Sequence, residues 1–240
     1  MRYDDAINAV AADALKRVRP NQTLGLGSGR AATALVVALG NMVRNTGIVV
    51  RGAPTSMQIR MKAEEYGMSL VDPGEISRVD MVFDGADQID SEGYMVKGGG
   101  GALLRERVLI GMADQAIIMA DQTKFVQSIT MPVPVEVHPV ARRAAAAQIE
   151  RLGAKTSVRM SKRGYPAFTE KGNIILDSQF DAIKEPLALA STLRQIPGVL
   201  EAGIFDMPDI IYKAQEGGQF TVIRPRQMSE IASQIYHSQA

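Results

Sequence analysis

Apolar side chains at Ile7, Val10, Ala11, Ala14 and Val18 recur at helical spacing, so residues 3–18 are predicted to form an amphipathic helix that stops at Pro20-Asn-Gln. Thr23-Leu-Gly-Leu then reads as a strand. It runs into Gly27-Ser-Gly29 and a helix with apolar Leu35, Val36 and Leu39. Strand, glycine turn and helix in that order can cradle a phosphate, because bare amides and a helix N-terminus meet at the turn. The unit recurs. Gly47-Ile-Val-Val-Arg51 is a predicted strand, followed by Pro54-Thr-Ser56 and a helix through Met61 and Glu65, with Thr55 or Ser56 suited to capping it. Val79-Asp-Met-Val-Phe83 and Ala116-Ile-Ile-Met-Ala120 supply further buried strands, and residues 102–113 a helix between them. This alternation predicts an α/β fold, with a Rossmann-like parallel-sheet domain over residues 1–131.

The pattern changes at Met131-Pro-Val-Pro, a proline-punctuated passage expected to be a domain boundary. Strands are predicted at 133–137, 156–160, 173–177 and 199–205, and helices at 141–152 and 186–195. Strand-helix-strand-strand-helix-strand is the split arrangement of a ferredoxin-like α+β domain, expected over 132–205. Residues 206–240 are expected to return to the first domain, with Thr221-Val-Ile223 rejoining its sheet and a possible amphipathic helix near 228–235.

Composition narrows the function. The 27 basic and 26 acidic side chains give a net charge of +1, and aromatic residues are only 5%, so neither a nucleic-acid surface nor a base-stacking platform is indicated. The absence of cysteine excludes disulfides, thiolate catalysis and cysteine-ligated metals, and fits a cytoplasmic setting. Met1-Arg-Tyr-Asp-Asp does not open a signal peptide, and no apolar run is long enough to span a bilayer, so no membrane partner is expected. The two histidines, His138 and His237, are too few for a histidine-rich metal centre. His138 is expected at a strand end and His237 in an exposed tail.

The candidate chemistry lies in Met95-Val-Lys-Gly-Gly-Gly-Gly-Ala-Leu-Leu-Arg-Glu106 and in Asp84-Gly-Ala-Asp87 just before it. Glycines that open a helix let backbone N–H groups approach an anion, and the helix dipole favours negative charge there. Taken alone, the glycine run reads as a flexible loop, and each aspartate as a turn or cap residue. Three carboxylates and a lysine within one short span point instead to a site handling a phosphorylated small molecule. The first glycine turn is neither a Walker loop nor a dinucleotide fingerprint, since Arg30 stands where the third glycine belongs, and this disfavours a dehydrogenase.

With those motifs in place, the chain resembles the ribose-5-phosphate isomerases of the A type over nearly its full length. The resemblance rests on the order of Gly25-Leu-Gly-Ser-Gly29, Pro54-Thr-Ser, Asp84-Gly-Ala-Asp87, Lys97-Gly-Gly-Gly-Gly-Ala-Leu-Leu-Arg-Glu106, Ala120-Asp-Gln-Thr-Lys124, Pro134-Val-Glu-Val, Gly172-Asn-Ile-Ile-Leu-Asp177 and Ile196-Pro-Gly-Val. It implies interconversion of ribose 5-phosphate and ribulose 5-phosphate through an enediolate, without metal or redox cofactor, by a homodimer or homotetramer. It also implies that Glu106 is the base and that Asp84, Asp87 and Lys97 open the sugar ring, move protons and stabilise charge. Implied substrate contacts are Ser28, Gly29, Arg30, Ala31, Gly85, Ala86, Gly98, Gly99, Gly100 and Lys124. The chain departs from the family pattern at Arg30-Ala31, where two hydroxyl residues are usual, at Gln88, usually glutamate, and in Thr169-Glu-Lys-Gly-Asn. The Arg30-Ala31 loop keeps two alternatives in view, a non-catalytic phosphosugar sensor and an isomerase of another phosphorylated sugar.

Overall fold

The structure, a computed structural model, describes residues 3–225. The helix expected near 228–235 and His237 lie outside the described residues. In chain order the elements are α1 (Asp4–Leu15), β1 (Thr23–Leu26), α2 (Gly29–Thr46), β2 (Arg51–Pro54), α3 (Met57–Glu65), β3 (Ser69–Leu70), β4 (Met81–Asp84), β5 (Gln88–Ile89), β6 (Met95–Val96), α4 (Leu103–Met112) and β7 (Ala116–Asp121). There follow β8 (Val133–Val137), α5 (Arg142–Arg151), β9 (Ala154–Val158), β10 (Ile174–Phe180), α6 (Pro186–Arg194), β11 (Val199–Ala202), β12 (Ile204–Phe205), β13 (Ile210–Ala214) and β14 (Phe220–Ile223). Among the described residues the chain folds as two compact units, the first holding residues 3–85, 109–123 and 207–225, the second 86–108 and 124–206.

Unit 1 is built on a seven-stranded sheet of order β14-β13-β7-β4-β1-β2-β3. All its pairs are parallel except the β13–β14 hairpin. β1, β4 and β7 are buried along their whole length, as strands covered on both faces must be. Ile7, Val10 and Ala14 of α1 and Leu35, Val36 and Leu39 of α2 share one core with Leu24, Phe83, Met119 and Tyr212. A second cluster gathers Ala53, Val79, Val82, Leu109 and Ala116. The strand order reverses at β1: β2 and β3 lie on one side and β4 and β7 on the other. Crevices at such switch points, outside the carboxyl ends of the strands, are where open α/β sheets bind ligands.

Unit 2 contains an antiparallel sheet of order β11-β8-β10-β9, the ferredoxin-like order, and a small sheet of order β12-β6-β5. Val133, Val135 and Val137 pack with Ala145 and Ile149 of α5 and Ala190 and Leu193 of α6. Among the described residues no helix is long and apolar enough to cross a membrane.

Several boundaries differ from the sequence expectation. The second strand is not 47–51 but β2, because Gly47 takes the left-handed C-cap of α2 (φ 69°) and pairing with β1 starts only at Arg51. The strand expected at 156–160 starts two residues earlier, and that at 173–177 extends to Phe180 through its partners on both sides. The strand expected at 199–205 divides at Gly203 into β11 and β12, which belong to different sheets. An added Cβ at Gly203 would lie 2.4 Å from the Lys97 carbonyl oxygen, so glycine is required there by close backbone approach. Unpredicted are β3, the β5–β6 hairpin and β13. Residues 221–223 do join the first sheet, as part of its edge strand β14, paired antiparallel with β13.

Candidate active site

At the switch point in unit 1, β1 runs into the turn Gly27-Ser28 and β4 ends in Asp84, which is fully buried. Asp84 Oδ1 accepts the backbone N–H of Ser28 at 3.1 Å and of Gly85 at 2.7 Å. A Cβ on Gly27 would lie 2.1 Å from that oxygen and 2.6 Å from the Asp84 Cα, so the glycine turn is what admits the carboxylate. Gly27→Ala is therefore expected to cost about 1–3 kcal/mol in folding stability and most of the turnover. Gly100→Ala, at a position with open space around the added carbon, should change stability by no more than about 1 kcal/mol. Thermal melting of the two variants checks the contrast, and equal behaviour would contradict it.

Ser28 directs its hydroxyl to Thr55 Oγ1 (2.7 Å) and Ser56 Oγ (3.1 Å) rather than capping α2. Ser56 in turn caps α3 by accepting from the Ile59 N–H, which decides between the two capping candidates, Thr55 and Ser56, that the sequence offered. Gly29, with φ 88°, begins α2. The Arg30 guanidinium reaches Asp121 Oδ2 at 2.5 Å and stands 4.0 Å from Asp4. Asp121 ends β7 and also accepts from the Thr123 N–H and hydroxyl. Ala31 packs against the unit 1 core.

Unit 2 holds the remaining expected residues. Asp87 follows Ala86 and enters the β5–β6 hairpin, its N–H donating to Val96 O at 2.9 Å. Its carboxylate accepts the Gly99 N–H at 2.7 Å. Gly98 (φ 109°) and Gly101 (φ 78°) turn the loop that opens α4, and their left-handed backbone is what requires glycine there; an added Cβ on Gly98 would also crowd Leu103 and Pro134 at 3.1–3.2 Å. Lys97 and Glu106 are only 2% and 5% exposed, with Nζ 3.3 Å from Oε2. Glu106 lies in the first turn of α4, where the helix dipole favours a carboxylate. Lys97 Nζ also lies 5.6 Å from the Phe205 ring centroid, and the Arg107 guanidinium covers that ring at 3.7 Å. Burial lowers the proton affinity of Arg107, and Glu201 at 3.1 Å opposes the shift. Lys124 ends the turn Gln122–Lys124 and is half-buried.

Gln88 accepts the N–H groups of Thr130 and Met131 and donates to the Thr130 hydroxyl. A glutamate would keep the two acceptances and lose the donation, so the amide at this position has a local structural role. The His138 imidazole accepts the Val140 N–H just past β8, as a strand-end residue does. Among the described residues no group of three or more His, Asp and Glu is arranged to hold a metal ion. Thr55, Ser56 and Asp121 belong to the local architecture of the phosphate-type turn, yet the sequence offered only Pro54-Thr-Ser and Ala120-Asp-Gln-Thr-Lys124 as a hint of them.

The chain as a whole is similar to known proteins in both sequence and fold. The family model for ribose 5-phosphate isomerase A (phosphoriboisomerase A) matches residues 51–218. Ribose-5-phosphate isomerase A of Synechococcus sp. is 37% identical over 90% of this chain and 95% of its own length, and that of Haloarcula marismortui 39% over 90% and 94%. The solved ribose 5-phosphate isomerase A of Methanocaldococcus jannaschii superposes with a TM-score of 0.87 at 32% identity, covering 92% of this chain and 99% of that one. A D-ribose-5-phosphate isomerase in complex with phospho-erythronic acid gives 0.88 at 31%, covering 93% and 100%. Motif order, fold and identity along nearly the whole length agree, and the chain belongs to the ribose 5-phosphate isomerase A family.

Proposed function

We infer that the chain interconverts D-ribose 5-phosphate and D-ribulose 5-phosphate, with Glu106 as the proton-transferring base. The observation that carries this assignment is the buried Lys97–Glu106 pair at 3.3 Å, a carboxylate excluded from water and held beside a donor-rich loop. In the open-chain aldose, Glu106 takes the proton from C2, and the bonding pair forms the C1–C2 double bond while O1 gains negative charge. A proton passes from O2 to O1, Glu106 returns its proton to C1, and the C2 carbonyl forms. One carboxylate serves both carbon transfers. Lys97 and the loop Gly98, Gly99, Gly100, in which the Gly99 amide holds Asp87 and the Gly100 amide faces the sugar, offset the developing oxygen charge. Asp84 and Asp87 act on the hydroxyl protons that move during ring opening and between the oxygens.

The phosphate is assigned to the loop Ser28, Gly29, Arg30, Ala31 and to Lys124, with Gly85 and Ala86 lining the sugar. The pairing of Arg30 with Asp121 supports a fixed guanidinium with donors to spare. Arg30→Ser is accordingly expected to raise KM for ribose 5-phosphate about tenfold or more while leaving kcat within about threefold, the loss of one charge-assisted contact. An unchanged KM would confine Arg30 to its bridge with Asp121. The proposed setting is the cytoplasm, as a homodimer or homotetramer without nucleic-acid or membrane partners, and light scattering tests the assembly. The substrate is tested by comparing turnover of ribose 5-phosphate with that of other aldose phosphates and of free ribose. Preference for another sugar phosphate, or saturable binding without turnover, would replace this reading.

A further inference from the structure

We infer that Arg159 is the positioning residue of the glycine loop, fixing the direction of two successive peptide groups, the first with its amide on Asp87 and the second with its amide turned to the reaction. Arg159 follows β9, and its backbone N–H donates to Ile175 O of the neighbouring strand β10 at 2.8 Å. Its guanidinium meets Asp177, also in β10, through Nε at 3.0 Å and Nη2 at 2.5 Å. This two-point contact leaves the group little freedom. The remaining nitrogen, Nη1, donates to the carbonyl oxygens of Gly98 at 2.6 Å and Gly99 at 3.0 Å.

In a trans peptide the C=O and the N–H that follows it point in opposite directions. Two successive carbonyls turned onto one guanidinium therefore turn the Gly99 and Gly100 N–H groups to the opposite side. The first of these meets Asp87 Oδ2 at 2.7 Å, so Arg159 and Asp87 hold the same peptide from its two ends. The second is thereby presented on the Asp87 side as a donor for an oxyanion. A loop of four glycines has many alternative conformations, and an anchor outside the loop selects one of them before substrate arrives. Arg159 reaches the loop from just past β9, 61 residues along the chain from Gly98, and no part of the site described above includes it.

This inference rests on the isomerase reading, because the oxyanion is the enediolate of that reaction. Wild type, Arg159→Gln, Arg159→Lys and Asp177→Asn are assayed with ribose 5-phosphate and titrated with phospho-erythronic acid, whose planar carboxylate stands for the two enediolate oxygens. Thermal melting monitors folding. Arg159→Gln should lower kcat about 10²-fold, the scale of a lost oxyanion donor, with KM within about threefold and a larger loss of phospho-erythronic acid affinity than of substrate affinity. Arg159→Lys should recover part of the loss, about tenfold, since an ammonium keeps the charge but not the fork. Folded Arg159→Gln with kcat within about threefold of wild type, or with substrate and analogue weakened alike, overturns the inference. Should Arg159→Gln not fold, Arg159→Lys and Asp177→Asn decide it on the same kcat and analogue criteria. Absence of turnover in wild type overturns the isomerase reading and this inference with it, whereas wild-type turnover with unaffected variants defeats the inference alone.

Discussion

Glu106→Gln is expected to lower kcat for ribose 5-phosphate by about 10²–10⁴-fold while KM stays within about threefold, since glutamine keeps size and hydrogen bonding but cannot carry the C2 proton. The residue is 5% exposed and faces Lys97 at 3.3 Å, so the packing around it accommodates an amide of the same shape. Binding is retained because the contacts assigned to the phosphate lie elsewhere. Steady-state kinetics with the pure variant checks the split. A Glu106→Gln enzyme with near-normal turnover would remove Glu106 from the base position and return the candidates to Asp84 and Asp87.

Lys97→Met should act on both stability and chemistry. Lys97 is 2% exposed, and removing its ammonium leaves the Glu106 carboxylate buried without the charge it faces, a loss of about 3–5 kcal/mol by comparison with other broken buried pairs. Turnover should fall about 10²-fold or more, because Lys97 also opposes the charge developing on the sugar oxygens. The double variant Lys97→Met, Glu106→Gln removes both charges, so its stability loss should be smaller than the sum of the single losses. Urea denaturation of the three variants measures the coupling. Additive losses would show that the two side chains are independent, against the close pair in the structure.

Much of this site was legible because its chemistry is local in sequence. Lys97, the four glycines and Glu106 lie within one loop and one helical turn, and Asp84 ends an apolar run whose burial follows from its residue types. The ferredoxin-like order of strands and helices was likewise readable from alternating apolar segments. What escaped were features set by tertiary partners. β13, Ile-Ile-Tyr-Lys-Ala, is a strand because β7 offers it a parallel edge, and β5 and β6 are two residues each, too short to carry a periodic signal. β2 reads Arg-Gly-Ala-Pro, poor strand formers held by β1 and β3 on either side. The Arg30–Asp121 bridge and the Arg159 contacts join residues 91 and about 60 positions apart, so no spacing rule reaches them.

The most direct test of the central claim is the reaction itself in deuterium oxide. Purified protein is incubated with ribose 5-phosphate without added metal, and the products are followed by proton and carbon NMR. If Glu106 removes the C2 proton and delivers one to C1, ribulose 5-phosphate forms and acquires deuterium at C1 to the extent that the carboxylic acid exchanges with solvent, and the rates of both formation and labelling fall about 10²-fold or more with Glu106→Gln. Failure of the wild-type protein to form ribulose 5-phosphate, or formation that survives unchanged in Glu106→Gln, would contradict the account.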